Sequence, residues 1–185
     1  MQIYGYFNQF KQKPIFLIHA FKYVFLDMDA TNVITLEEAK EFLKVDFDND
    51  DLIITNLIKT AVSLVEQKTS YMLYERNDIA FVSNSDKIYK YPFALADSED
   101  ADNYSIIANR LYSSINIVGG VTYPTQGRGV ELTLGYNDPS LIPYPLREAC
   151  LRLITYWYDQ REMQNHEFPS DVYMLIQPFI RDFTI

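Results

Sequence analysis

The sequence predicts a mainly α fold with a β insertion, a small helical bundle carrying a small antiparallel sheet or β-arms. Three observations predict it. A capping box at Thr35 opens two helical patterns in succession, and a proline-opened helical pattern starts at Pro143. Between them, the run from Val130 to Tyr136 alternates apolar and polar residues. The chain has 185 residues. That length suits one domain and buries about 70% of the unfolded surface without a disulfide or metal. Four regions follow: 1–33, 34–72, 73–143 and 144–185.

Region 1–33 is an N-terminal aromatic arm or an extra element. Met1 to Phe10 is rich in Tyr and Phe, and Ile15 to Leu26 is apolar except for His19 and Lys22. Neither a 3.6 nor a 2.0 period emerges, so helix and strand both stay open. One reading packs this region on the chain's own core; the other lays it across a neighbouring subunit. The apolar stretch is too short for a bilayer and lacks a cleavage site, so neither a membrane span nor a secretory leader is expected.

Region 34–72 is the first part of the helical core. The Thr35 hydroxyl can accept from the Glu38 amide, and the Glu38 carboxylate can reach back to the Thr35 amide. A short helix then runs through Ala39, Phe42 and Leu43 to about Val45. Asp46 to Asp51 is an acidic turn whose last aspartates can cap the next helix. That helix, about Leu52 to Tyr71, puts Ile54, Leu57, Ile58, Ala61, Val62, Val65 and Met72 on one face. Its opposite face carries Thr55, Lys59, Ser63, Glu66 and Gln67.

Region 73–143 reads as β-rich. Asp78 to Val82 and Lys87 to Tyr91 are short β-prone runs around a Ser-Asn-Ser-Asp turn. Asp97 to Asp102 is an acidic loop, and Ile106 to Val118 shows no firm period. Gly119-Gly120 and Thr125 to Gly129 read as turns. Val130 to Tyr136 is a half-buried strand.

Region 144–185 completes the helical core and ends in a docking tail. Pro145 suits the first turn of a helix, on which Leu146, Ala149, Cys150, Leu153, Ile154 and Trp157 share a face. Leu151 and Tyr158 form a second apolar stripe on the polar side, which needs either an intramolecular or a subunit partner. Ser170 can cap a short helix after Pro169, and Pro178 to Ile185 is apolar.

The chemistry of the chain points away from catalysis. With 25 acids against 16 bases the net charge is −9, which opposes binding to a phosphate backbone. One cysteine and two histidines make neither a disulfide framework nor a soft-ligand metal site. Asp46, Asp48 and Asp50 imitate the start of a calcium loop, but Asp51 stands where glycine is needed and Leu57 where a bidentate Glu is needed. No catalytic, cofactor or metal residue is assigned. The 28 aromatics exceed what a core of this size uses, so large interfaces are expected.

Two segments carry a resemblance. ITLEEAKEFLKVD (34–46), an acidic turn and DLIITNLIKTAVSLVE (51–66) form the first. The second is VELTLGY (130–136) followed by IPYPLREACLRLITYWYDQRE (142–162). In this order and spacing they resemble the tailed-phage head–tail connector (adaptor, neck ring) family. Residues 1–33 fall outside the resemblance, and 74–126 is longer and more acidic than the family pattern.

The resemblance implies a non-enzymatic virion protein that forms a ring, commonly twelve-fold, between the portal and the tail. The ring would extend the channel for double-stranded DNA without binding it by sequence, and would dock a downstream neck or tail protein. The virion neck, and the host cytoplasm during assembly, would be its locations; no cofactor and no membrane are implied. The interface residues expected are Leu151, Tyr158, Trp157 and Arg161 on the late helix, with Phe179, Ile180 and Phe183 in the tail. Asp97, Glu99, Asp100 and Asp102, or the Asp46 to Asp51 turn, would line an acidic lumen. A tail terminator or stopper, or an acidic regulatory binding protein, would also suit the composition; the latter predicts a stable monomer.

Overall fold

The computed structural model describes residues 30–82, 85–95, 103–108, 112–118, 128–160 and 168–181. Residues 1–29, the acidic loop 97–102 and the turn expected at Gly119-Gly120 lie outside these, so the readings made there have no structural counterpart. The described part has two layers of packing, a helical body and a pair of small sheets, each with its own apolar cluster.

The body starts with a 3-10 turn, Ala30–Asn32, after which Val33 and Ile34 are buried. Helix α1 (Leu36–Leu43) begins as the sequence predicts: Thr35 Oγ1 accepts from the Glu38 amide at 3.1 Å. It stops at Lys44, which takes φ 60 and turns its amide back to Lys40 and Glu41. The second half of the capping box does not form. Both Glu38 carboxylate oxygens accept from Arg147 Nη2, at 2.9 and 2.8 Å, a charge-assisted contact that a neutral amide cannot match.

Helix α2 (Asp51–Thr69) buries Ile54, Ile58, Ala61, Val62 and Val65, as its 3.6-residue period requires, with Leu57 half-buried. Met72 belongs instead to the sheet cluster beyond the helix end. Two expectations need correction. Asp50 occupies the N-cap without a capping bond; its Oδ2 accepts from Tyr158 at 2.6 Å, while Lys40 holds Asp48 and Asp51 at 2.7 Å each. Glu66, assigned to the polar face, is buried.

Helix α3 (Tyr144–Asp159) opens with Pro145 in its first turn and buries Leu146, Ala149, Cys150, Leu153 and Ile154. Helix α4 (Ser170–Ile176) has Pro169, not Ser170, at its N-cap, and buries Val172 and Ile176. A further 3-10 turn, Gln177–Phe179, follows. Helix α2 packs on α3, α3 on α4, and α1 on both α2 and α3. Each fully buried Leu, Ile or Val in this cluster stabilises the fold by about 1.5–3 kcal/mol.

The described strands form two three-stranded antiparallel sheets. In one, β6 (Arg128–Leu134) lies between β1 (Arg76–Val82) and β3 (Phe93–Leu95), with Arg76 opposite Leu134 and Val82 opposite Arg128. In the other, β5 (Ser113–Ile117) lies between β2 (Ser85–Ile88) and β4 (Tyr104–Ala108). Along β6, Val130, Leu132 and Leu134 are buried and Glu131 is exposed, as the alternation predicts. Arg128 and Gly129, read as turn, are part of that strand.

Candidate assembly surface

The residues expected at an interface do not all reach the surface. Leu151 is 8% exposed and sits in the helical core. Trp157 and Tyr158 are half-buried against the same core, and the Tyr158 hydroxyl is engaged by Asp50. The second stripe on α3 is therefore met from within the chain. Phe179 and Ile180 are half-buried against the core, and Phe179 meets the Tyr71 ring edge-on at 5.5 Å. Arg161, Phe183, Asp97, Glu99, Asp100 and Asp102 lie outside the described residues.

A polar and aromatic joint fixes the sheets to the helical body. Glu66 Oε1 accepts from the Leu73 amide at 2.7 Å, and its Oε2 pairs with Arg76 at 2.9 Å. The Arg76 guanidinium also lies over the Tyr74 ring, 4.6 Å from its centroid. Beside it, Tyr91 exchanges backbone bonds with Ser70 and Met72. Arg181 closes the joint from the C-terminal side: it is 5% exposed, donates to the Tyr89 carbonyl at 3.0 Å and stacks over Tyr91 at 4.6 Å. Burial pushes the Tyr136 hydroxyl up to about 12, with Tyr91 and Tyr71 adding to it. Sequence reasoning missed this joint because its members come from α2, the α2–β1 link, the strand region and the tail.

Glu66 makes the joint sensitive to pH. Burial is the largest influence and raises its pKa above the ordinary carboxylate value, outweighing Arg76. An acid whose folded value is raised contributes most when neutral. Its contribution is complete below the unfolded value and is lost as pH rises through the folded one. Glu66→Gln keeps an acceptor for Leu73 and removes the charge. Urea midpoints followed upward from about pH 4 should fall for the wild type relative to the variant. Parallel curves would show that Glu66 titrates normally.

The exposed apolar groups are the stronger assembly candidates. Around the α1–α2 turn stand Phe42, Phe47, Leu52 and Ile53, with Leu52 74% exposed. Leu141 and Tyr144 flank the start of α3; Tyr173 and Met174 lie on α4; and Phe81, Ile106, Ile107 and Val118 lie on or beside the strands. So many large apolar side chains in groups signal contact surfaces rather than chance exposure. The sequence held one cue, an aromatic residue (Phe47) inside an acidic turn.

The described residues offer little for catalysis. Cys150 is buried, and burial pushes its thiol far above the usual range, so a thiolate nucleophile is not accessible there. Among the described residues no group of three or more His, Cys, Asp or Glu side chains could hold a metal ion. No described helix is long and apolar enough to cross a membrane.

Comparison with known proteins agrees with this architecture. Residues 33–92, spanning α1, α2, β1 and β2, match the family described as "Phage gp6-like head-tail connector protein". No curated protein matches the chain. Among solved structures, a chain from the neck of an empty gene transfer agent (GTA) particle computed with C6 symmetry has a TM-score of 0.69 at 17% identity. A chain from the virion of the native GTA particle gives 0.67 at 18%. One from the native neck computed with C12 symmetry gives 0.65 at 18%. Each match covers 85% of this chain and 93% of the other. At such identities the likeness is one of fold.

Proposed function

We propose that this chain, whose residues 33–92 match the phage head–tail connector family, is a structural neck protein forming a ring between the portal and the tail. One observation carries the reading. The segment that matches the connector family forms the α1–α2 unit, inside a fold shared along most of its length with chains from particle necks. A neck computed with C12 symmetry makes a twelve-membered ring the expected assembly.

The surface chemistry suits such a ring. A subunit in a closed ring presents two different faces to its neighbours, so it needs apolar contact groups at more than one place. Tyr144, Met174 and Ile107 supply them on separate elements. A wall that passes DNA should repel phosphate, and a net charge of −9 does so. Asp97, Glu99, Asp100 and Asp102 are the better lumen candidates, since Lys40 and Tyr158 already engage Asp48, Asp50 and Asp51 of the 46–51 turn. The C-terminal tail, with Phe183, would dock to the portal or to the next neck component.

Antibodies against this chain, coupled to gold and applied to intact particles, test the location. Label at the head–tail junction is expected. Label spread over the head or confined to the distal tail would contradict the reading.

A further inference from the structure

The apolar group around the α1–α2 turn has a chemistry that selects its occupant. Phe42, Phe47, Leu52 and Ile53 are exposed there, and the acids Glu37, Glu41, Asp46 and Asp48 stand exposed among them. From residue 37 to residue 53 there are seven acids against two lysines, Lys40 and Lys44. Arg147 answers Glu38, while Lys40 is consumed by Asp48 and Asp51. The patch is thus apolar with an acidic rim, and it calls for a partner rich in aromatic groups that also carries positive charge.

One stretch of this chain has that composition. Residues 1–26 contain eight aromatic residues and three lysines, Lys11, Lys13 and Lys22, with no acid. The imbalance is notable in a chain with 25 acids and 16 bases overall. The stretch also joins the helical unit that carries the patch. It leads into the Ala30–Asn32 turn, which packs on α2, the helix whose first turn carries Leu52 and Ile53. Extended, 26 residues span about 85 Å, ample for reaching the site.

We propose that the N-terminal segment, residues 1–26, docks on the acid-rimmed apolar patch formed by Phe42, Phe47, Leu52 and Ile53. Its aromatic side chains cover the apolar groups and its lysines face Glu37, Glu41 and Asp46. A photoreactive benzoylphenylalanine in place of Leu52, in the full-length protein, reads the contact directly. Irradiation followed by peptide mass analysis should place the cross-links within residues 1–26. Cross-links confined to other parts of the chain, or none at all, would overturn the proposal. The same probe at Ile107, exposed on β4, should not capture that segment. Adding Glu41→Lys and Asp46→Lys should lower the cross-link yield from position 52 several-fold, and an unchanged yield would overturn the charge match.

Discussion

Gly135→Ala should prevent the native protein from accumulating. Gly135 follows β6 with φ +87, a backbone conformation that L side chains rarely adopt. A Cβ added there would lie 1.9 Å from the Tyr74 carbonyl oxygen and 2.5 Å from its carbon. Both are backbone atoms, so no side-chain rotation relieves the clash. The Gly135 amide also donates to the Pro92 carbonyl at 2.9 Å, and moving the backbone to admit a methyl group would break that bond. The left-handed conformation alone costs about 1–2 kcal/mol, and a lost buried hydrogen bond adds about 1–3 kcal/mol. These two terms amount to about 2–5 kcal/mol before any displacement of Tyr74, a large share of the roughly 5–15 kcal/mol that holds a domain together. Circular dichroism and thermal melting of the variant check this. A melting temperature close to the wild type would show that the α2–β1 link yields easily.

Leu151→Asp should also destroy the fold, for a different reason. Leu151 is 8% exposed within the helical cluster, beside Cys150 and two residues before Leu153. A carboxylate there would be buried without a partner, a change in the class that costs more than about 4 kcal/mol. Leu52→Asp provides the contrast, because a side chain 74% exposed tolerates a charge. Soluble expression and urea unfolding of the two variants side by side separate core from surface. Loss of assembly in the Leu151 variant would therefore report unfolding, whereas loss in a folded Leu52 variant would report a surface contact. Two folded, equally stable variants would remove Leu151 from the core.

Local signals in this sequence were readable and distant ones were not. The Thr35 cap, the core face of α2, Pro145 in the first turn of α3 and the alternation along β6 all depend on residues within a few positions of one another. Glu38 and Arg147 are 109 residues apart, so their pairing leaves no trace in the local pattern. Glu66 reads as polar surface on α2 because only the link to β1 brings Leu73 and Arg76 onto it.

Strands β4 and β5 were hidden for another reason. Ile106 and Ile107 are both exposed, while Ser113 is buried, so polarity and pleat do not coincide there. The assembly surface was legible as an excess of aromatics but not as particular residues. Leu151 sits in a polar context on its helix, yet the packing of α3 in the body buries it. Gly135 gave a partial cue, lying in the Gly-Tyr link between the strand and Pro143.

A chain that joins a portal as a ring reveals this in its mass. The most direct test is the native mass of the purified full-length protein, measured alone and after mixing with the portal protein of the same particle. A ring, expected to be twelve-membered, should appear either of the chain alone or assembled upon the portal. A monomer that stays monomeric and leaves the portal mass unchanged would contradict it.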